Sequence, residues 1–538
     1  MSEQAADYEV IIVGAGFSGI GAAIKLREDG FEDFLIVDDA DGVGGTWHWN
    51  TYPGIAVDIP SFSYQFSFEK SAQWSRVYAP GRELAAYAEH CTDKYGLRPR
   101  IRFRTTISEA DFDAGGNLWR LRTTDGDKLT ARYVIAATGV LTRPKLPDIP
   151  GVETFAGRTM HTSRWDHSAD LRGTRVAIIG TGASAIQVIP SIAPDVERLV
   201  VFQRTPIWCL PRPDAALPPP VRWALRRLPG GPSLARLASQ AFVELTFPLS
   251  AHYYSTLPLA KLGERSGRGG GGRGAGRGPR PAAPTPPPPP PPPPAPPRGG
   301  PPPPPPRPPD PAIRDKLTPR YALGCKRPGF SNEYLATFNR DNVVLETDPI
   351  AEITPTGVRT STGVTHEADV LILATGFKVM EAGNMPTFAL RGVDGLDLEK
   401  WWDENRLQAY EGVSVPGFPN FFSIIGPYGY NGSSYFTLIE MQTHHILRLL
   451  RHARRKRATR VEVTRAANER YFREMLDRRA GQVFWQDSCA LANSYYFDKN
   501  GDVPLRPMST VEAAWRAAHF DLGDYRFEAG TTTDARAS

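Results

Sequence analysis

Residues 8–26 read YEVIIVGAGFSGIGAAIKL, and this stretch decides the fold. Residues 8–13 form a short, β-branched apolar run, suited to a parallel strand buried on both faces. Gly14, Gly16 and Gly19 follow at G-x-G-x-x-G spacing, and 20–26 continues as a helix pattern. The first glycine permits a tight turn, the second lets a pyrophosphate approach the backbone, and the third lets helix and strand pack closely. The helix N-terminus adds free N–H groups and a positive dipole end for phosphate. A second strand, 34–37, ends at Asp38, at the distance where an acid binds a ribose hydroxyl. Strand, turn, helix, strand and acid in one register predict a dinucleotide-binding unit.

The same grammar recurs at 175–185, RVAIIGTGASA. Gly180 and Gly182 take the first two glycine positions and Ala185 the third, an accepted substitute. The next strand, 199–203, runs into Gln203-Arg204-Thr205 with no acid at its end. A carboxylate there would repel a 2′-phosphate, whereas the Arg204 guanidinium can hold one bidentately, so NADPH is expected over NADH. The predicted fold class is therefore α/β, with two Rossmann-like dinucleotide-binding domains and a helical subdomain.

The totals agree with a soluble globular protein of several domain-sized units: 538 residues, 41% hydrophobic, 22% charged. A net charge of +5 makes no case for nucleic acid. Cys91, Cys209, Cys325 and Cys489 are far apart, with no C-x-x-C or zinc spacing, so no metal site is expected. They read as four thiols of a reducing compartment, the cytoplasm. The polar lead before residue 8 lacks the features of a secretory signal, and no run of 18 or more apolar residues offers a membrane span.

Two further stretches narrow the chemistry. Residues 44–58 read GGTWHWNTYPGIAVD, and residues 155–166 read FAGRTMHTSRWD. The first fits G-G-x-W-x-x-x-x-[FY]-P-G-x-x-x-D and the second F-x-G-x-x-x-H-T-x-x-W-[PD]. Together they resemble the fingerprints of type I Baeyer–Villiger monooxygenases, within the class B flavoprotein monooxygenases. The resemblance implies FAD on the first unit, contacted by Thr46, Trp47, Trp49 and, as a weaker transfer, Tyr64, with Asp58 near the reactive face. It places His161 between the dinucleotide domains, coupling cofactor motion more than transferring protons. Thr205 joins Arg204 at the NADP phosphate. Residues 324–328, GCKRP, resemble the family motif that carries an arginine over the flavin, which makes Arg327 the catalytic candidate and Lys326 a second phosphate contact.

The resemblance also implies the reaction. FAD reduced by NADPH binds O2 as a C4a-peroxyflavin that attacks a ketone, and the product is an ester or lactone. A related heteroatom oxygenase acting on a thioether or amine shares fold and cofactors, and an inactive flavin-binding protein is a third reading. The expected layout is FAD domain 1–148 and 367–538, the latter including the substrate wall, and NADP domain 149–206 and 311–366. A helical subdomain spans 207–263. Its basic and apolar faces allow either packing over the cleft or a peripheral membrane contact. The Gly/Arg/Pro stretch 264–310 can bury no core and is expected to be disordered or the trace of a local reading-frame error. Residues 75–95 are expected to be helical and 101–106 extended.

Overall fold

The strand Tyr8–Val13 lies inside the larger sheet, pairing in parallel with Phe34–Val37 on one side and Lys128–Ala136 on the other. The computed structural model describes residues 6–255 and 310–529, apart from 380 and 382. Residues 256–309, which contain all of the proline runs, lie outside the described residues. The buried run Val10–Val13 is apolar because helices cover one face and an antiparallel extension with its packed segments the other. Ile101–Arg102 extends the parallel set at one edge, and Phe421–Ser423 joins Lys128–Ala136 late in the chain. The helices Phe17–Glu28 and Tyr435–Lys456 pack together over one face, so residues more than 400 apart share this core.

The second unit is a five-stranded, all-parallel sheet with Arg175–Ile179 at its centre. Val370–Leu373 and Arg198–Phe202 flank it, and Arg158–His161 and Val343–Glu346 form the edges. The chain therefore enters the first unit, crosses to the second, and returns. The two crossings run side by side and bond to each other: Lys145 N–H donates to Gly376 O at 2.8 Å and Lys378 N–H to Arg143 O at 3.0 Å.

Two sequence expectations shift locally. The helix expected over 75–95 begins at Gly81, because Pro80 disfavours helical geometry in the residue before it. The strand expected over 101–106 ends at Arg102, where Arg104 turns left-handed at φ 51°.

The helical segment is present as Pro219–Arg227 and Gly231–Thr246. It leans on the first unit, with Arg236 Nη1 donating to Gln65 O at 2.6 Å and Gln240 Nε2 to Ser433 Oγ at 2.8 Å. Its outward face carries Trp223, Leu234 and Leu237, each more than 60% exposed. No described helix is long and apolar enough to cross a membrane.

The expectation of four free thiols is corrected. Cys325 and Cys489 form a disulfide with Cα atoms 5.1 Å apart, while Cys91 and Cys209 stay free. The pair is 164 residues apart in sequence, which is why spacing alone concealed it. No metal-holding cluster occurs among the described residues.

Candidate active site

Both phosphate turns close on the same kind of partner. Gly14, at φ 114°, lies so near the first return strand that a Cβ would sit 2.6 Å from Ala137 O. Gly180, at φ 112°, lies equally near the second, with a Cβ 2.5 Å from Ala374 O. Each turn thus abuts an Ala-Thr-Gly segment, 137–139 or 374–376, at the end of its unit. Gly19 serves packing alone, since a Cβ there would overlap Gly14 O. Gly182 differs, with nothing within 4 Å of its would-be Cβ. That open side faces a continuous cleft of about 1530 Å³ running between the two turns.

In the first unit the cleft is lined by Gly14, Gly16, Asp38, Thr46, Trp47 and Trp49. Asp38 accepts hydrogen bonds from the Ala15 and Ala40 N–H groups, fixing its carboxylate at the end of Phe34–Val37. Burial outweighs those bonds and raises its pKa to about 6. Gly45, at φ 55°, rests against Gly16, with a Cβ 3.0 Å from Gly16 Cα, and so docks the short helix Thr46–Trp49 over the first turn. Trp47 Nε1 donates to Tyr64 Oη at 3.2 Å, and the two rings meet edge to face.

In the second unit Gly180, Gly182, Arg204, Thr205 and Lys326 line the same cleft. Ala185 is fully buried at the start of Ala185–Ile192 and packs into the core. Lys326 has its pKa lowered to about 8, first by burial and then by the neighbouring Arg204 cation. Two cations that form no ion pair with a carboxylate among the described residues suit a dianionic group, which would relieve their mutual repulsion. Gln203 stands where Asp38 stands in the first unit, and its amide donates to Lys316 O at 2.8 Å.

Asp58 and Arg327 meet between the two nucleotide sites. Arg327 Nε donates to Asp58 Oδ2 at 3.0 Å, and Nη2 donates to both carboxylate oxygens at 2.7 and 2.6 Å. The Asp58 charge holds the Arg327 pKa well above its ordinary value, so the guanidinium stays cationic. Tyr430, Tyr495 and Tyr496 stand around it on the cleft wall. The disulfide lies behind this wall, with both cysteines buried outside the cleft lining. It ties the loop that carries Arg327 to the segment Asp487–Leu491, which precedes Tyr495.

The stretch 155–166 forms the strand Arg158–His161 and a short turn. His161 is buried outside the cleft lining, at the end of a strand paired to Val370–Leu373. Its Nδ1 accepts from Ser163 N–H at 3.1 Å, and its Nε2 lies by Gly376 without a hydrogen bond of ordinary geometry. Burial lowers its pKa to about 4, so it is neutral at pH 7. Its ring faces Phe377 on the return crossing. Arg164, two residues after the buried Thr162, stacks over Trp49 at 3.7 Å from the ring centroid. Sequence reasoning missed Arg164 and Gln187, and it placed a substrate wall within 367–538 without its facing Arg327, since each partner is set only by folding.

Two Rossmann-like turns feeding one cleft, with a fixed arginine between them, define a two-dinucleotide oxidoreductase. Residues 11–228 match the family described as pyridine nucleotide-disulphide oxidoreductase. A Baeyer–Villiger monooxygenase of Streptomyces coelicolor is 34% identical over 96% of this chain and 92% of its own length. Another of Pseudomonas aeruginosa is 36% identical over 89% of this chain and 83% of its own. The crystal structure of OTEMO in complex with FAD and NADP superposes with a TM-score of 0.80 at 26% identity, covering 97% of this chain and 100% of that one. The chain belongs to the Baeyer–Villiger monooxygenase family.

Proposed function

We propose that this chain is an NADPH- and O2-dependent flavin monooxygenase that converts a ketone into an ester or lactone. The overall balance is ketone, O2, NADPH and a proton giving ester, NADP⁺ and water. The observation that carries the reading is the Asp58–Arg327 pair, a permanent cation held between two nucleotide sites. FAD fits the first site, where Gly14, Gly16, Gly44 and Gly45 line the cleft at the start of the helix Phe17–Glu28. NADPH fits the second, where Gly182 is open and Arg204 and Lys326 converge.

When bound, FAD supplies hydride acceptance and oxygen activation; the protein supplies orientation, charge and exclusion of water. Asp58 engages the Nε and Nη2 edge of Arg327 and fixes the direction of its charge. A preorganised cation beside developing negative charge on a substrate carbonyl oxygen is commonly worth ~3–4 kcal/mol. Thr46, Trp47, Trp49 and Tyr64 would wall the flavin, and Arg204, Thr205 and Lys326 would hold the 2′-phosphate. In this reading residues up to 148 and from 367 form the FAD domain, and 149–206 with 311–366 the NADP domain.

A panel of cyclic and linear ketones, with one thioether, tests this on FAD-loaded protein supplied with NADPH. Ester formation with one O2 consumed per NADPH is the expected result. Sulfoxide without ester would identify a heteroatom oxygenase, and bound FAD without substrate-dependent NADPH oxidation an inactive flavoprotein.

A further inference from the structure

The helix Ala185–Ile192, which follows the second glycine turn, touches both partners of the Asp58–Arg327 pair's supporting chain. Gln187 reaches across to the loop 52–58 of the other unit. Its Nε2 donates to Ala56 O at 2.9 Å, and its Oε1 accepts from Tyr52 Oη at 3.2 Å and from Ala56 N–H at 3.4 Å. All of these groups lie within a few residues of Asp58. Gly54 makes the contact close, since a Cβ there would sit 2.5 Å from Gln187 O and overlap Ser191 Oγ. Its φ of 80° independently favours glycine.

The adjacent residue serves the other partner. Ile186 packs onto Gly329, two residues past Arg327, so closely that a Cβ on Gly329 would overlap Ile186 Cδ1. One turn of helix therefore indexes the Asp58 loop through Gln187 and, through Ile186, the short strand Gly329–Phe330 that follows Arg327. The loop also crosses between cores: Tyr52 and Ile55 pack in the second unit's core and Val57 in the first's. Any shift of this helix on filling the Gly180–Gly182 turn is thus passed to both sides of the ion pair.

We propose that Gln187 is a positioning residue that couples nucleotide occupancy of the second turn to the seating of Asp58 against Arg327. The inference rests on the NADPH reading of that turn. Gln187 carries the coupling better than the buried contacts because hydrogen bonds fix direction, whereas apolar contacts tolerate sliding.

The test uses FAD-loaded wild type and Gln187→Met, which keeps volume and removes all three bonds. NADP⁺ binding is read by calorimetry, and amide hydrogen exchange over 54–58 is read with and without NADP⁺. The wild type should gain NADP⁺-dependent protection there. In Gln187→Met the NADP⁺ effect should fall by about two- to thirtyfold while NADP⁺ still binds. Tyr52→Phe, which removes one bond, should give an intermediate effect and serves if Gln187→Met loses FAD. Ester formation in the double variant Asp58→Asn/Gln187→Met should be no slower than in Asp58→Asn, because both changes act through one contact. Equal protection in Gln187→Met, or additive losses, would overturn the coupling alone. A wild type that binds no NADP⁺ would overturn it together with the nucleotide reading, and calorimetry separates the two.

Discussion

Arg327 and Asp58 stand 269 residues apart in sequence and share three hydrogen bonds in the cleft between the nucleotide units. The two residues are 32% and 23% exposed, and that exposure opens to the cleft they line. The pair is therefore dry enough to be directional and open enough to act on a bound molecule. Replacing Arg327 by Ala should leave FAD bound and lower ester formation by about 10²–10³-fold, the usual loss of one preorganised charge donor. Flavin absorbance and product analysis on the same sample check both halves. Normal ester turnover in the variant would remove Arg327 from the chemistry.

Lys326 gives a pH dependence with a definite sign. Its pKa is lowered to about 8 by burial and by Arg204, so above that pH the free enzyme loses a positive charge at the phosphate site. A bound dianion would raise the pKa and draw in a proton. The KM for NADPH should therefore rise as pH climbs through 8, and Lys326→Met should flatten that rise. Steady-state kinetics with NADPH varied at fixed ketone and oxygen measure it.

Arg204 should set the choice between NADPH and NADH. A charged hydrogen bond is worth about 1.5–3 kcal/mol, so Arg204→Ala should cut kcat/KM for NADPH by about 10–100-fold. NADH, which lacks the 2′-phosphate, should lose little. An equal loss with both cofactors would show that Arg204 acts on the fold instead.

Gly180 and Gly182 should respond oppositely to alanine. Gly180→Ala places a Cβ 2.5 Å from Ala374 O at φ 112°, costing about 1–3 kcal/mol of stability. Gly182→Ala meets open space and should fold as well as wild type, yet bind NADP⁺ more weakly because the methyl occupies the approach to the backbone. Chemical denaturation and calorimetry on the two variants give the contrast.

The Cys325–Cys489 bond should stabilise without taking part in turnover. Cys489→Ser is expected to cost roughly 2–4 kcal/mol, as for closure of a long loop. The same variant should still reduce its flavin with NADPH. Unfolding curves with and without reductant test this, and a wild-type curve unmoved by reductant would count against it.

Much of this was legible in the chain. Parallel strands buried on both faces need continuous apolar runs, and a phosphate turn needs glycine where a Cβ would strike the return strand. Those requirements are local, so 8–19 and 175–185 announced two nucleotide units. The Asp58 and Arg327 loops were recognisable only because their neighbours resemble family motifs. The disulfide, the Arg164–Trp49 stack and the Gln187 bridge had no comparable signal. An arginine over an indole or a glutamine on a loop can be any such residue until the partner arrives.

By itself, the sequence determined the two-unit α/β architecture and the place of both glycine turns in it, because backbone sterics act over a few residues. Only the tertiary structure decided how the units face each other. It brought Asp58 to Arg327, drew Cys489 to Cys325, and set His161 behind the cleft instead of in it. Those relations depend on how buried surfaces from distant segments pack, and no pattern of residues along the chain encodes that pairing locally.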